Sequence, residues 1–176
     1  MYIVGVDREK AQAVGWNRMN WPEEMPMASL KSILKCPKVK PGATLKYPDS
    51  EGLKLRVKTA VHEARSMGYD PLTDPIVVDY HGCKDHWSYG YTPCITASRG
   101  TGKGYWITTN NQGPITIPNM LRLQGLTPSR IKQTIPDSAM GKLIGNAFTQ
   151  SLVEALLTEV LPVCGKVHKY SELLEA

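Results

Sequence analysis

A stripe of apolar residues runs through the last third of the chain and constrains the fold more than any other feature. Met140, Leu143/Ile144, Ala147/Phe148, Leu152, Ala155/Leu156 and Val160 recur at helical spacing over residues 138–161. Such a stripe must be buried against something. Gly145 interrupts it, and a glycine inside a helix costs about 1 kcal/mol relative to alanine. Two explanations remain open. The helix starts afresh at Asn146, a residue suited to an N-cap, or another segment packs close to the backbone at Gly145. Pro162 is expected to end the element.

Upstream, residues 51–67 predict a helix, with Leu53, Val57, Ala60/Val61, Ala64 and Met67 on one face. Asp49 or Ser50 can cap its start and Gly68 can end it. Residues 2–6, 75–80, 92–98 and 104–109 predict strands, the last two joined as a hairpin through Arg99–Lys103. Short helices are expected at 117–124 and 128–134. Residues 16–48 hold five prolines and predict a loop-rich stretch with one helical turn near 27–35.

The net charge of +5 is unevenly placed. Residues 31–58 carry eight Lys/Arg against Asp49 and Glu51, whereas residues from 69 onward carry nine basic and nine acidic groups. A basic block is either a polyanion-facing surface or a solvated face. No apolar run approaches the ~20 residues of a membrane helix. The N-terminal apolar stretch is too short for a signal peptide. The four cysteines, Cys36, Cys83, Cys94 and Cys164, form no CxxC pair, so they are expected to be reduced thiols in an intracellular protein.

Three segments, in order, resemble the end of a cytosine-5 DNA methyltransferase. Tyr2-Ile-Val-Gly-Val6 resembles the strand that follows an Arg-rich block in that family. Ile115-Thr-Ile-Pro-Asn-Met-Leu-Arg-Leu-Gln-Gly125 resembles its ninth block. Lys142-Leu-Ile-Gly-Asn-Ala-Phe148 resembles its tenth, which opens the last helix. Arg122-Leu-Gln-Gly and Ile144-Gly-Asn-Ala stand about twenty residues apart, in the family's order. Gly113, Ile117 and Asn119 stand where the ninth block has Arg, Pro and Glu.

The resemblance implies an α/β fold: the C-terminal part of a Rossmann-like S-adenosylmethionine-dependent methyltransferase with a small target recognition domain. It implies residues 1–6 as a late strand of the catalytic domain and 7–136 as the recognition domain. Residues 137–162 would be a closing helix returning to the catalytic domain, and 163–176 a tail. The family's glycine-rich loop, Pro-Cys nucleophile and Glu-Asn-Val block have no counterpart here, so no catalytic residue is expected in this chain. Pro93-Cys94 lies downstream of the opening strand, on the wrong side for the nucleophile, and Cys94 reads as structural. The chain is expected to need its upstream half, in cis or in trans.

Gly145, Asn146 and Ala147 are the candidate cofactor contacts, on the expectation that a helix N-terminus there meets the carboxylate of S-adenosylmethionine. Ser98, Arg99, Thr101, Lys103, Tyr105, Arg122 and Gln124 are the candidate contacts to double-stranded DNA. The glycines between Arg99 and Gly104 allow close approach to phosphates, and Tyr105 and Trp106 can stack against bases. Arg122 either reads DNA or makes an internal ion pair. His81, Cys83, His86 and Cys94 fit no common zinc spacing, and no metal is expected. A different class, a DNA-binding module without catalysis or a subunit of a split enzyme, is the alternative. The expected compartment is intracellular, nuclear in a eukaryote and cytoplasmic otherwise.

Overall fold

The structure, a computed structural model, describes residues 21–24, 26, 28–36, 38–79, 86–100, 104–109 and 113–163. The chain divides into two compact units, Met27–Ala147 and Met1–Pro26 with Phe148–Ala176.

The larger unit is built on a four-stranded antiparallel sheet. Its strands are β1 (Ile76–Asp79), β2 (His86–Tyr89), β3 (Tyr105–Ile107) and β4 (Gly113–Pro114), in the order β2-β1-β3-β4. Val77 faces Ser88 and Ile107, Val78 faces Trp87 and Trp106, and Asp79 faces His86 and Tyr105. Side chains alternate across a strand, so β1 and β3 feed two cores. Val77, Tyr105 and Ile107 point to one, and Ile76, Val78 and Trp106 to the other.

Helix α2 (Glu51–Ser66) covers the second core with Val57, Ala60, Val61 and Ala64. Ser50 occupies the cap position, and Gly68, at φ +87°, turns the chain away. The other face is covered by Leu30 and Leu34 of α1 (Leu30–Ile33) and its cap. Ile117, Met120 and Leu121 of α3 (Ile117–Leu123) and Ile144 of α4 (Asp137–Asn146) complete that cover. Each fully buried aliphatic side chain contributes about 1.5–3 kcal/mol. The unit is therefore a mixed α/β fold with a small antiparallel sheet between helices.

Several expectations are corrected. Residues 92–98 form no strand; Thr96–Gly100 make a turn, with the Arg99 and Gly100 amides donating to the Thr96 carbonyl at 3.0 and 2.8 Å. The hairpin partner of β1 is β2, whose polar His86 and Ser88 hide its alternation. Residues 128–134 shrink to one 3-10 turn, Pro128–Arg130, because Ile131 is already extended and Pro136 disfavours helix just before it. The 138–161 stripe is two helices, α4 and α5 (Gln150–Val163), parted at the extended Ala147. Pro162 lies in the last described turn of α5. The expected strand 2–6 and the tail from 164 lie outside the described residues. Among the described residues, no helix is long and apolar enough to cross a membrane.

Candidate functional site

The β1–β3 register sets Asp79 opposite Tyr105, and the turn before β3 brings Arg99 to the same end of the sheet. Gly104 has no side chain, and the stem of Arg99 folds over it: a Cβ at Gly104 would stand 2.9 Å from both Cβ and Cδ of Arg99. The guanidinium then reaches the Asp79 carboxylate at 3.2 Å, with side-chain exposures of 25% and 14%. Beneath it, the Tyr105 hydroxyl donates to the Cys94 carbonyl at 2.9 Å. Burial pushes the Tyr105 phenol above its usual pKa, the charge of Asp79 adds to this, and Arg99 partly offsets it.

The Thr96–Gly100 turn rests on α4 through glycine alone. A Cβ on Gly141 would fall onto the Gly100 carbonyl, and one on Gly145 onto the Thr96 carbonyl. Gly141 and Gly145 are one helical turn apart, so α4 presents a bare backbone face to the turn. Of the two explanations for Gly145, close backbone approach is the one the structure shows.

Helix α3 packs against α4 and shares its core. The Thr116 hydroxyl caps it by accepting from the Asn119 amide at 3.4 Å. Arg122 Nη1 donates to Asn119 Oδ1 at 3.0 Å, one turn back on the same helix. Gln124 is buried at the end of α3, and its Nε2 donates to the carbonyls of Ile144 at 3.1 Å and Ala147 at 3.4 Å. Those two carbonyls belong to the last turn of α4 and the residue after it; the Ile144 carbonyl also accepts from the Ala147 amide.

The candidate residues therefore fall into separate environments. Ser98 is exposed and shares a hydrogen bond with Thr96 at 3.1 Å, and Arg99 is partly exposed and ion-paired. Tyr105 and Gln124 are buried, and neither ring nor amide is presented to a base. Arg122 is half-buried and takes the internal alternative, but to an amide rather than a carboxylate. Thr101 and Lys103 lie outside the described residues, as do His81 and Cys83. Trp106 is buried in the second core. Cys94 is exposed and outside any strand, against the expectation of a structural cysteine on a strand over 92–98. His86 is exposed on β2.

The expected helix N-terminus at Asn146 is also corrected. Gly145 and Asn146 are the final residues of α4, and the Ala147 amide donates back to the Ile144 carbonyl at 3.1 Å. A helix C-terminus presents carbonyls and the negative end of the dipole, so backbone amides there do not favour a carboxylate. Asn146 and Ala147 are exposed, which leaves the Asn146 side-chain amide as the available donor.

Two participants carry no clear signal in the sequence. Asp79, the anchor of Arg99, is twenty residues away and belongs to no motif. Gly141 is legible only as half of a pair of glycines four residues apart. No family model, no curated protein and no solved structure matches this chain.

Proposed function

We propose that this chain is the DNA-facing, C-terminal part of a cytosine-5 DNA methyltransferase. The observation that carries the reading is the pair of hydrogen bonds from Gln124 to Ile144 and Ala147. They join the two segments whose order and spacing resemble the family's ninth and tenth blocks, so those segments work as one structural piece. The Asn119–Arg122 bond stands where the family's ninth block has its carboxylate.

In this reading the Rossmann-like sheet, the nucleophilic cysteine and the glycine-rich loop come from outside these 176 residues, in cis or in trans. Helix α5 supports the need for such a partner. Leu152, Leu156, Leu157 and Val160 form an apolar face, yet none of its described residues is fully buried. An amphipathic helix whose apolar face is left partly exposed has room for a further body to cover it. Leu143 on α4 and Phe148 beyond it are likewise 60% and 69% exposed.

The division of labour follows. In this reading S-adenosylmethionine supplies the methyl group, and the exposed Asn146 side-chain amide donates to its polar end. The Arg99 turn, braced by Gly141 and Gly145, presents Ser98 and the Arg99 guanidinium toward the sugar-phosphate backbone. Gln124 keeps that turn's support and α3 in register.

The test uses the purified chain, methyl-labelled S-adenosylmethionine and duplex DNA. Salt-sensitive duplex binding without methylation is expected, with methylation appearing on addition of a polypeptide carrying the Pro-Cys nucleophile and glycine-rich loop. Methyl transfer by the chain alone would refute the assignment of catalysis to the other half. Duplex binding that no catalytic half converts into methylation would leave a DNA-binding module without catalysis.

A further inference from the structure

The basic block at residues 31–58 spans the two cores. Leu30, Leu34 and Cys36 pack on the first, whereas Leu45, Tyr47 and Leu53 pack on the second. The chain between them therefore crosses from one face of the sheet to the other. It passes the end of β3, where Cys36 Sγ and Thr109 Oγ1 are 3.4 Å apart. That is the end opposite the Arg99 turn, which precedes β3.

This crossing strap is cationic along its length. Lys31, Lys35, Lys38, Lys40 and Lys46 are all exposed, and on the α2 side Lys58 Nζ lies 5.9 Å from the centre of the Tyr47 ring. Lys35 follows α1 at φ +51°, and Gly42 turns the strap at φ +77°, where the Ala43 amide donates to the Lys40 carbonyl at 3.1 Å. Glu51 is taken up by Lys54 at 3.0 Å, which also holds its carboxyl below the usual range. Among the described residues, Lys31, Lys35, Lys38 and Lys40 have no ion-pair partner.

We propose that this strap clamps the phosphate backbone of duplex DNA without reading sequence, as a second contact at the opposite end of β3 from the Arg99 turn. The inference rests on the DNA-facing reading of the chain. Lysines are compact point charges without the planar fork that arginine uses on phosphates and guanine, so a lysine strap supplies attraction rather than base discrimination. An anionic membrane suits the strap less well. Among its described residues Val39 is the one exposed large hydrophobic, and interfacial binding needs an apolar face to bury.

The experiment measures fluorescence anisotropy of two long duplexes of unrelated sequence with the full chain, between about 50 and 200 mM salt. The combined variant Lys31→Ala, Lys35→Ala, Lys38→Ala, Lys40→Ala is compared with its four-Arg counterpart and with Arg99→Ala. Far-UV circular dichroism checks that each is folded. We expect the alanine variant to weaken binding equally on both sequences. Its slope of log affinity against log salt should flatten by roughly 0.9 for each phosphate that is no longer neutralised. The arginine variant should retain the wild-type slope. An unchanged slope in the alanine variant, with Arg99→Ala weakened, would overturn the strap and leave the DNA-facing reading standing. Failure of the wild-type chain to bind either duplex would overturn both. Retained binding to phosphatidylserine-containing vesicles in that case would reassign the strap to a membrane surface.

Discussion

Gly141 of α4 lies directly against the carbonyl of Gly100, so helix and turn meet backbone to backbone with no side chain between them. Any β-carbon at Gly141 must push the Thr96–Gly100 turn away. Gly141→Ala should therefore destabilise the fold by about 1–3 kcal/mol, despite alanine's better helix propensity. Gly52, in the first turn of α2, faces open space. Gly52→Ala should stabilise by about 0.4–1 kcal/mol. Urea denaturation of the two variants checks the pair, and destabilisation of similar size in both would contradict the packing argument.

Gln124 is the buried donor that holds the end of α4 to α3. Gln124→Ala removes that donor while the Ile144 carbonyl keeps the Ala147 amide, at a cost of about 0.5–1.5 kcal/mol. Gln124→Glu should be worse, because it sets a carboxylate against carbonyls at the negative end of a helix. Thermal melts of the three proteins decide this; a Glu variant as stable as wild type would show that the amide is not the link.

Tyr105 carries a pH signature. Its phenol is raised above the ordinary value of 10.0, chiefly by burial. The folded state therefore holds the proton more tightly than the unfolded chain does. The associated stability is fully present below the unfolded pKa of about 10 and is lost as pH rises through the folded pKa. Tyr105→Phe should cost about 1 kcal/mol at neutral pH through removal of the bond to the Cys94 carbonyl. It should also flatten the alkaline fall in stability, read as unfolding free energy against pH. An equally steep fall in the variant would assign it to other tyrosines.

Arg99 has two partners to satisfy, Asp79 within the fold and a phosphate in the proposed complex. Arg99→Ala should lower stability by about 1 kcal/mol, discounted for the partial exposure of the pair, and should weaken duplex binding as well. Arg99→Lys should recover more of the binding than Ala does, since the charge remains. Melting curves beside anisotropy titrations separate the two effects. Unchanged binding in a folded Arg99→Ala would remove this turn from the interface.

Leu143 should behave differently. It is exposed on α4, so Leu143→Ser should change the stability of this chain by less than about 0.5 kcal/mol. In the proposed enzyme it should weaken association with the catalytic half. Equal pull-down of that half by wild type and variant would place the interface elsewhere.

The sequence by itself determined the elements with a strong local signal. Helix α2 was legible because its stripe and Gly68 agree, and β1 because its apolar run is buried on both faces; the short helix expected at 117–124 is α3, which the structure caps with Thr116. The tertiary structure decided what depends on partners distant in sequence. Residues 92–98 look like a strand, yet their segment folds into a turn that fits the bare face of α4 at Gly141 and Gly145. Tyr105 looks like a surface aromatic, yet its register opposite Asp79 on β1 puts the ring in the core. Asn146 looks like a helix start, yet Gln124, twenty-two residues earlier, closes a helix there. Spacing along a chain reports periodicity and caps, which are local. Which backbone lies against which glycine, and which charge meets which carboxylate, is set only when the two cores form on either side of the sheet.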